Sequence, residues 1–257
     1  MTLLTDVKTM KILKSLTAPK EADHPDSNED YFFWEAQGKA CAMSDGASDS
    51  FDSRSWARIL CQSFTQIYNQ VSAPQLDDKC VALVLSVARP FFDKQLKAVT
   101  TSWSKQLAAS RGSFASLLGV IEEPRQVSIL AVGDTIALWM DHRQQLRSFI
   151  LRKSPEFSKN PILLGSETKT DSLLFGSEHS RWGFVTIPKA EMQPRKLFLM
   201  TDALGHYVLS QYEKNRPLPL NLLSTMSQID FQSWVLSQRQ SGELHKDDTT
   251  FALLSFD

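Results

Sequence analysis

Residues 30–46 read DYFFWEAQGKACAMSDG. Two apolar runs, Asp30–Glu35 and Lys39–Ser44, flank Ala36-Gln37-Gly38, and this arrangement predicts a β-hairpin. The second run stops at Asp45-Gly46, and from Ser53 onward the period changes. Trp56, Ile59, Leu60, Phe64, Ile67 and Tyr68 recur at three- and four-residue steps, the spacing of an amphipathic helix with Asp52 or Ser53 as its cap. A strand end that carries an acid and then turns into a helix is the unit from which the rest of the chain is read.

Upstream, Met10–Leu16 is a short strand candidate, followed by a polar stretch with Pro19 and Pro25. Downstream, a second helical region runs from about Gln75 to Gln106, with Pro90 as a kink or break. Four β-like runs come next: Ser113–Ile121, Gln126–Val132, Thr135–Met140 and Gln145–Leu151. Residues 153–181 are polar, contain Pro155 and Pro161 and lack a period, so they read as a long loop or flap. Trp182–Ile187 and Leu197–Met200 read as buried strands. Asp202–Tyr212 and Asn221–Gln240 read as helices, the latter broken near Ser227, and Thr249–Phe256 as a last strand. Blocks of strands and blocks of helices predict an α+β layered fold. With no repeat and no linker-like change in composition, one domain over residues 1–257 is expected.

Composition narrows the function classes. The 257 residues carry 28 Lys+Arg and 29 Asp+Glu, a net charge of -1, with 42% hydrophobic residues. That hydrophobic share supports an ordinary core. The missing surplus of cations argues against nucleic acid or an anionic membrane as a partner. Ten glycines, with neither GxGxxG nor GxxxxGK[ST], give no support to a nucleotide-binding loop. Cys41, Cys61 and Cys80 have no CxxC spacing and read as reduced, buried thiols. Met1–Ser15 holds Lys8, Lys11 and Lys14 without the continuous apolar stretch of a signal peptide, and no run is long enough to span a bilayer. A soluble, cytoplasmic protein is expected.

The informative residues are acids at strand ends. Asp45 ends one apolar run and Asp202 ends Leu197-Phe198-Leu199-Met200; Asp247 and Asp248 stand before the last strand, Glu29 and Asp30 before the hairpin. Each alone is explained by capping of helices and turns. Together, if the ends converge, they would repel one another unless a cation neutralised them, and hard divalent ions prefer such oxygen ligands. The five histidines form no HExxH pattern and there is no GxSxG, which leaves a zinc hydrolase or a serine hydrolase without local support. Trp34, Trp56, Trp139 and Trp182 fall in strand or helix patterns and read as core, and Lys94–Lys105 as a solvated helix face.

Five short strings, Asn28-Glu29-Asp30, Ser44-Asp45-Gly46, Val132-Gly133-Asp134-Thr135, Thr201-Asp202-Ala203-Leu204 and Asp247-Asp248-Thr249-Thr250, follow in this order along the chain. In order and spacing they resemble the metal-dependent protein phosphatases of the 2C family. The resemblance implies a four-layer α-β-β-α sandwich, two antiparallel sheets flanked by helices, with two Mn²⁺ or Mg²⁺ ions at one edge. It implies that Asp45 bridges both ions, that the Gly46 carbonyl binds one, that Asp202 and Asp247 hold the second, and that Glu29 binds a coordinated water. A water activated between two ions would attack a phosphoserine or phosphothreonine of a protein substrate, itself the target of a serine/threonine kinase. Asp248 would support Asp247, while Asp30 and Asp134 would serve structure, the latter in a turn.

The pattern is also broken. Where family members often carry a phosphate-clamping Arg this chain has Pro25, with Lys20 as a point-charge substitute or a solvated loop lysine. Ala47 stands where some relatives have His after the DG, and TDGL has become TDAL at Ala203. His206, one helical turn from Asp202, is a proton-donor candidate or a packing residue. Trp103–Ala115 holds no acid for a third ion. These departures motivate the alternative of a catalytically weak or inactive phosphatase-fold protein that acts as a binding or regulatory module.

Overall fold

The structure is a computed structural model and describes residues 10–71, 76–77, 79–99, 107, 109–171 and 182–257. In chain order its elements begin with β1 (Lys11–Ala18), β2 (Tyr31–Trp34), β3 (Ala40–Ser44), α1 (Ser53–Gln70) and α2 (Cys80–Val99). Next come β4 (Phe114–Ala115), β5 (Leu117–Glu122), β6 (Gln126–Val132), β7 (Ile136–Met140), β8 (Leu146–Phe149), β9 (Leu164–Gly165) and β10 (Trp182–Pro188). The chain closes with β11 (Lys196–Met200), α3 (Asp202–Glu213), α4 (Leu220–Thr225), α5 (Gln228–Gln240) and β12 (Thr249–Ser255).

The strands form two five-stranded antiparallel sheets, ordered β1-β12-β11-β7-β8 and β10-β6-β5-β3-β2, plus the small β4-β9 ribbon. Alternation along each strand explains the layering. In β3, Cys41 and Met43 point into an apolar layer shared with Leu197 and Leu199 of β11 and Ala252 and Leu254 of β12. Ala40 and Ala42 point the other way, against Trp56, Leu60 and Phe64 of α1 and Val84 and Leu85 of α2. Phe198, Met200, Phe251 and Leu253 face the opposite helices, through Leu204 and Val208 of α3 and Phe231 and Val235 of α5. Both faces of the central strands are therefore buried, which is why they read as unbroken apolar runs. The α+β sandwich expected from the sequence is the observed fold.

Four expectations need correction or narrowing. Ser113–Ile121 is not one strand; it divides at Ser116, whose backbone N–H and Oγ bond Asp45 O (2.8 Å) and Asp45 N (2.9 Å) instead of continuing a ladder. Asp52 is the N-cap residue of α1 by position, its carbonyl accepting Trp56 N, but at φ 47° its side chain makes no cap bond, and Ser53 Oγ donates to Glu29 Oε1. Helix α2 runs on through Pro90, so of the kink or break expected there the break is overturned. Trp34 is 41% exposed and stacks on Phe32 at 5.3 Å, whereas Trp56 is fully buried. The described part of the 153–181 stretch also has structure, with 3₁₀ turns at Ser154–Ser158 and Thr168–Thr170 and strand β9 between them. Lys94 and Lys97 are exposed as expected; residues 100–106 lie outside the described ones.

Helix α1 sits close on β5 because residue 119 has no side chain. A Cβ at Gly119 would lie 2.2 Å from Phe64 Cζ, whereas one at Gly183 in β10 would meet Phe149 Cζ at an ordinary 3.8 Å. Gly119→Ala is expected to destabilise by about 1–3 kcal/mol through overpacking. Gly183→Ala is expected to stay within about 1 kcal/mol of the parent. Urea midpoints measure both, and equal midpoints for the two variants would refute this account of the α1 contact.

Candidate active site

Antiparallel pairing gathers the acids. Tyr31 pairs with Ser44, Leu117 with Val132, Met200 with both Ile136 and Phe251, and Ala18 with Thr249. The ends of β1, β3, β6 and β11 therefore share one edge with the starts of β2, β5, β7 and β12. Lys20, Glu29, Asp45, Asp134, Asp202 and Asp247 all lie just past those ends. Asp45, Gly46, Asp134, Asp202 and Asp247 line a common hollow of about 220 Å³, walled on one side by Pro161 and Leu163. A further hollow of about 430 Å³ shares Asp202 and Asp247 and adds Phe157, His206, His245 and Lys246.

Crowding raises the proton affinity of these acids. Withdrawal from water, followed by Asp30, Asp202, Asp134 and Asp247, holds Asp45 well above the usual carboxylate range. Withdrawal from water, then Asp134 and Asp247, pushes Asp202 up to about 7. The N–H groups at the start of α3 favour the charged form, Ala203 N donating to Asp202 Oδ1, but do not offset the crowding. Lys20 Nζ reaches Asp247 Oδ1 at 3.5 Å in a partly exposed pair, a weak positive contribution to the site.

Main-chain staples fix the geometry. Buried Asp248 accepts Lys20 N (2.5 Å) on one oxygen and Glu29 N (2.7 Å) on the other, so it positions two neighbouring segments as well as Asp247. Arg239, in the last turn of α5, donates to Pro19 O (2.8 Å), to Asp247 O and to Thr249 Oγ1 (3.0 Å). Asp30 is buried and structural: its Oδ2 accepts Thr201 Oγ1 (2.9 Å), and that hydroxyl accepts Thr250 N (2.9 Å). Under Asp45, Ser116 Oγ also bonds Thr135 Oγ1 at 2.6 Å. Gly46 is pinched, since a Cβ there would lie 3.0 Å from Glu29 O and from Ser53.

Glu29, Asp45, Gly46, Asp202, Asp247 and Lys20 all come to this edge. Asp134, expected to serve a turn, also lines the hollow. His206 lies one turn into α3 with Nδ1 buried and unbonded among the described residues, and its ring packs on Phe157 (5.9 Å) and His245 (4.7 Å). Arg239 was not anticipated; an arginine ending a helix has no sequence signal that sets it apart. Among the described residues no three His, Cys, Asp or Glu side chains form a compact cage. The donor set nevertheless fits hard dications in its chemistry: all oxygen, mutually repelling, around a common hollow.

With the geometry in place, comparison with solved structures is direct. The fold is that of Staphylococcus aureus serine/threonine phosphatase Stp1, at TM-score 0.58 and 15% identity over 100% of this chain and 98% of that one. Mycobacterium tuberculosis PstP/Ppp gives TM-score 0.61 and 12% identity over 96% and 99%. A PstP catalytic domain crystallised with two manganese ions gives 0.60 and 12% over 96% and 97%. No curated protein matches the sequence. Residues 22–238 match the protein phosphatase 2C family, and the chain belongs to it.

The raised affinities have a signed consequence for the metal-free protein. Unfolded Asp202 loses its proton near 3.8 and the folded residue near 7, so between those values the folded state holds more protons and stability falls as pH rises. The thermal midpoint at pH 7.5 in chelator is expected several degrees below that at pH 5.5. Asp202→Asn should flatten that slope. An Asn variant with the parent's pH dependence would contradict the assignment.

Proposed function

We propose that this chain is a Mn²⁺- or Mg²⁺-dependent phosphoserine/phosphothreonine protein phosphatase. The observation that carries the reading is the convergence of Asp45, Asp134, Asp202 and Asp247 on one hollow, with Glu29 beside it. Asp45, the Gly46 carbonyl, Asp202 and Asp247 would hold two ions, and Asp134 is placed to add a ligand. Two such ions, when bound, supply Lewis acidity and an acidified water for in-line attack on phosphorus.

The chain's own groups have separable tasks. Glu29 receives Ser53 Oγ on Oε1, which leaves Oε2 to accept a proton from water and orient it. Asp248 and Arg239 hold the main chain of Glu29, Lys20 and Asp247, so these groups need little rearrangement. Lys20 offers a point charge to substrate phosphate in place of the arginine that Pro25 replaces. With two dications held by its acids, the hollow would suit a phosphoryl group; a nucleic-acid or membrane partner finds no cationic surplus to bind it. The chain is read as one catalytic unit, and no described helix is long and apolar enough to cross a membrane.

A second reading, a phosphatase-fold binding or regulatory module, draws on Pro25 and Ala47, where relatives place cationic or proton-donating groups. Hydrolysis of p-nitrophenyl phosphate decides between them. Wild type should need Mn²⁺, and Asp45→Asn and Asp202→Asn should each lose about 10³-fold in kcat or more. Activity that persists in chelator or survives both substitutions would refute the metal mechanism. Absence of turnover together with retained Mn²⁺ binding by calorimetry would favour the module.

A further inference from the structure

Arg89 of α2 is only 14% exposed, and its hydrogen bonds among the described residues all go to one short stretch of chain. Nη1 donates to Asp171 Oδ2 at 3.0 Å and Nη2 to Asp171 Oδ1 at 2.5 Å. Nη2 and Nε also reach Gly165 O at 3.0 and 3.4 Å, and Nη2 reaches Glu167 O at 3.3 Å. A planar guanidinium can serve a carboxylate in fork geometry and two carbonyls at once; an ammonium cannot. The same stretch is tied on its other side, with Trp56 Nε1 donating to Leu164 O (2.8 Å) and Ser166 N to Ser113 O (2.9 Å).

What this clamp holds is a wall of the acid site. Strand β9 pairs with β4, which bridges to Gly46. Just before β9, Leu163 lines both the acid hollow and a neighbouring hollow of about 550 Å³, whose apolar lining includes Phe51 and Phe114. A phosphoryl group fits the acid hollow by itself, whereas the residue beside it on a peptide needs the second space. Arg89 lines neither.

We propose that Arg89 is a positioning residue: through β9 it sets the wall shared by the two hollows, and so governs affinity for phosphopeptides that span both. The substrate class rests on the phosphatase reading above; the clamp itself does not. Wild type, Arg89→Lys and Asp171→Asn are compared with Mn²⁺ on p-nitrophenyl phosphate and on a phosphothreonine peptide with leucine next to the phosphoresidue. For the peptide, KM should rise about tenfold in each variant. Its kcat, and both constants for the small ester, should stay within about twofold. The double variant should be no worse than either single one, since both break the same pair. Parallel loss on both substrates, or an unchanged peptide KM, overturns the proposal. Fluorescence anisotropy with a non-hydrolysable phosphonate peptide keeps the two readings apart. Wild type that binds this peptide but turns over neither substrate removes the phosphatase reading, and tenfold weaker binding by the variants still upholds the clamp. Equal binding by wild type and variants, or none by wild type, overturns it.

Discussion

Like charges forced together at one edge of a sandwich are the constraint on which this structure turns. Antiparallel pairing brings alternate strand ends to the same side, and the chain places an acid past nearly every end that arrives there. The carboxylates that line the hollow cannot all ionise in that space without compensation. The fold therefore creates a local demand for positive charge that the near-neutral whole-chain balance conceals. Lys20 meets a small part of it, and from a partly exposed position where water screens the attraction. Withdrawal from water, which makes Asp45 and Asp202 hold their protons, is the same property that makes a dication worth binding.

The acids stay in register because the groups that hold them act on backbone. Asp248 receives two N–H groups from segments more than 200 residues away in sequence. Arg239 donates to four carbonyls or hydroxyls around the same corner, three of them the carbonyls of Pro19, Lys20 and Asp247. Thr17, Asn28, Asp30, Thr201 and Thr250 link the same strand ends in one polar network. Buried charges of this kind are costly unless satisfied; both oxygens of Asp248 are met by main-chain N–H groups, which carry no competing charge, while Asp30 Oδ1 and Arg239 Nε are buried without a partner among the described residues. Asp248 and Arg239 thus stabilise the placement of the site.

How much of this the sequence discloses depends on the range of the interaction. The hairpin, α1, β6 and β12 follow from period and apolar runs, because those signals are local. Asp45, Asp202 and Asp247 are visible as acids at strand ends, and their order along the chain gives the family. Three features resist such reading for one reason: they depend on partners far away in sequence. Ser116 interrupts an apolar run because Asp45, 71 residues earlier, claims its hydroxyl. Asp134 is read as a turn residue, which is locally sufficient, while its place in the hollow is set by β6 and β7 pairing with other strands. Arg89 belongs to an unremarkable stretch of helix, and only the fold brings residues 165–171 against it.

The departures from the family pattern can be weighed by where they fall. Ala203 lies in the first turn of α3, buried, with its N–H on Asp202; at that position alanine favours the helix by up to about 1 kcal/mol over glycine. It therefore firms the start of the helix that presents Asp202. Pro25 opens a 3₁₀ turn at Pro25–Ser27, where its fixed φ fits and its missing N–H costs nothing. Arg54 of α1 donates to Asp26 O of that turn. Ala47 lines both the acid hollow and its 550 Å³ neighbour, so its side chain bears on the space in each. Ala47 thus bears on what a substrate would touch, and Ala203 strengthens the acid scaffold. A chain losing its chemistry by drift would be expected to lose the mutually repelling acids first, since each destabilises the metal-free fold. Here those acids remain, gathered on one hollow.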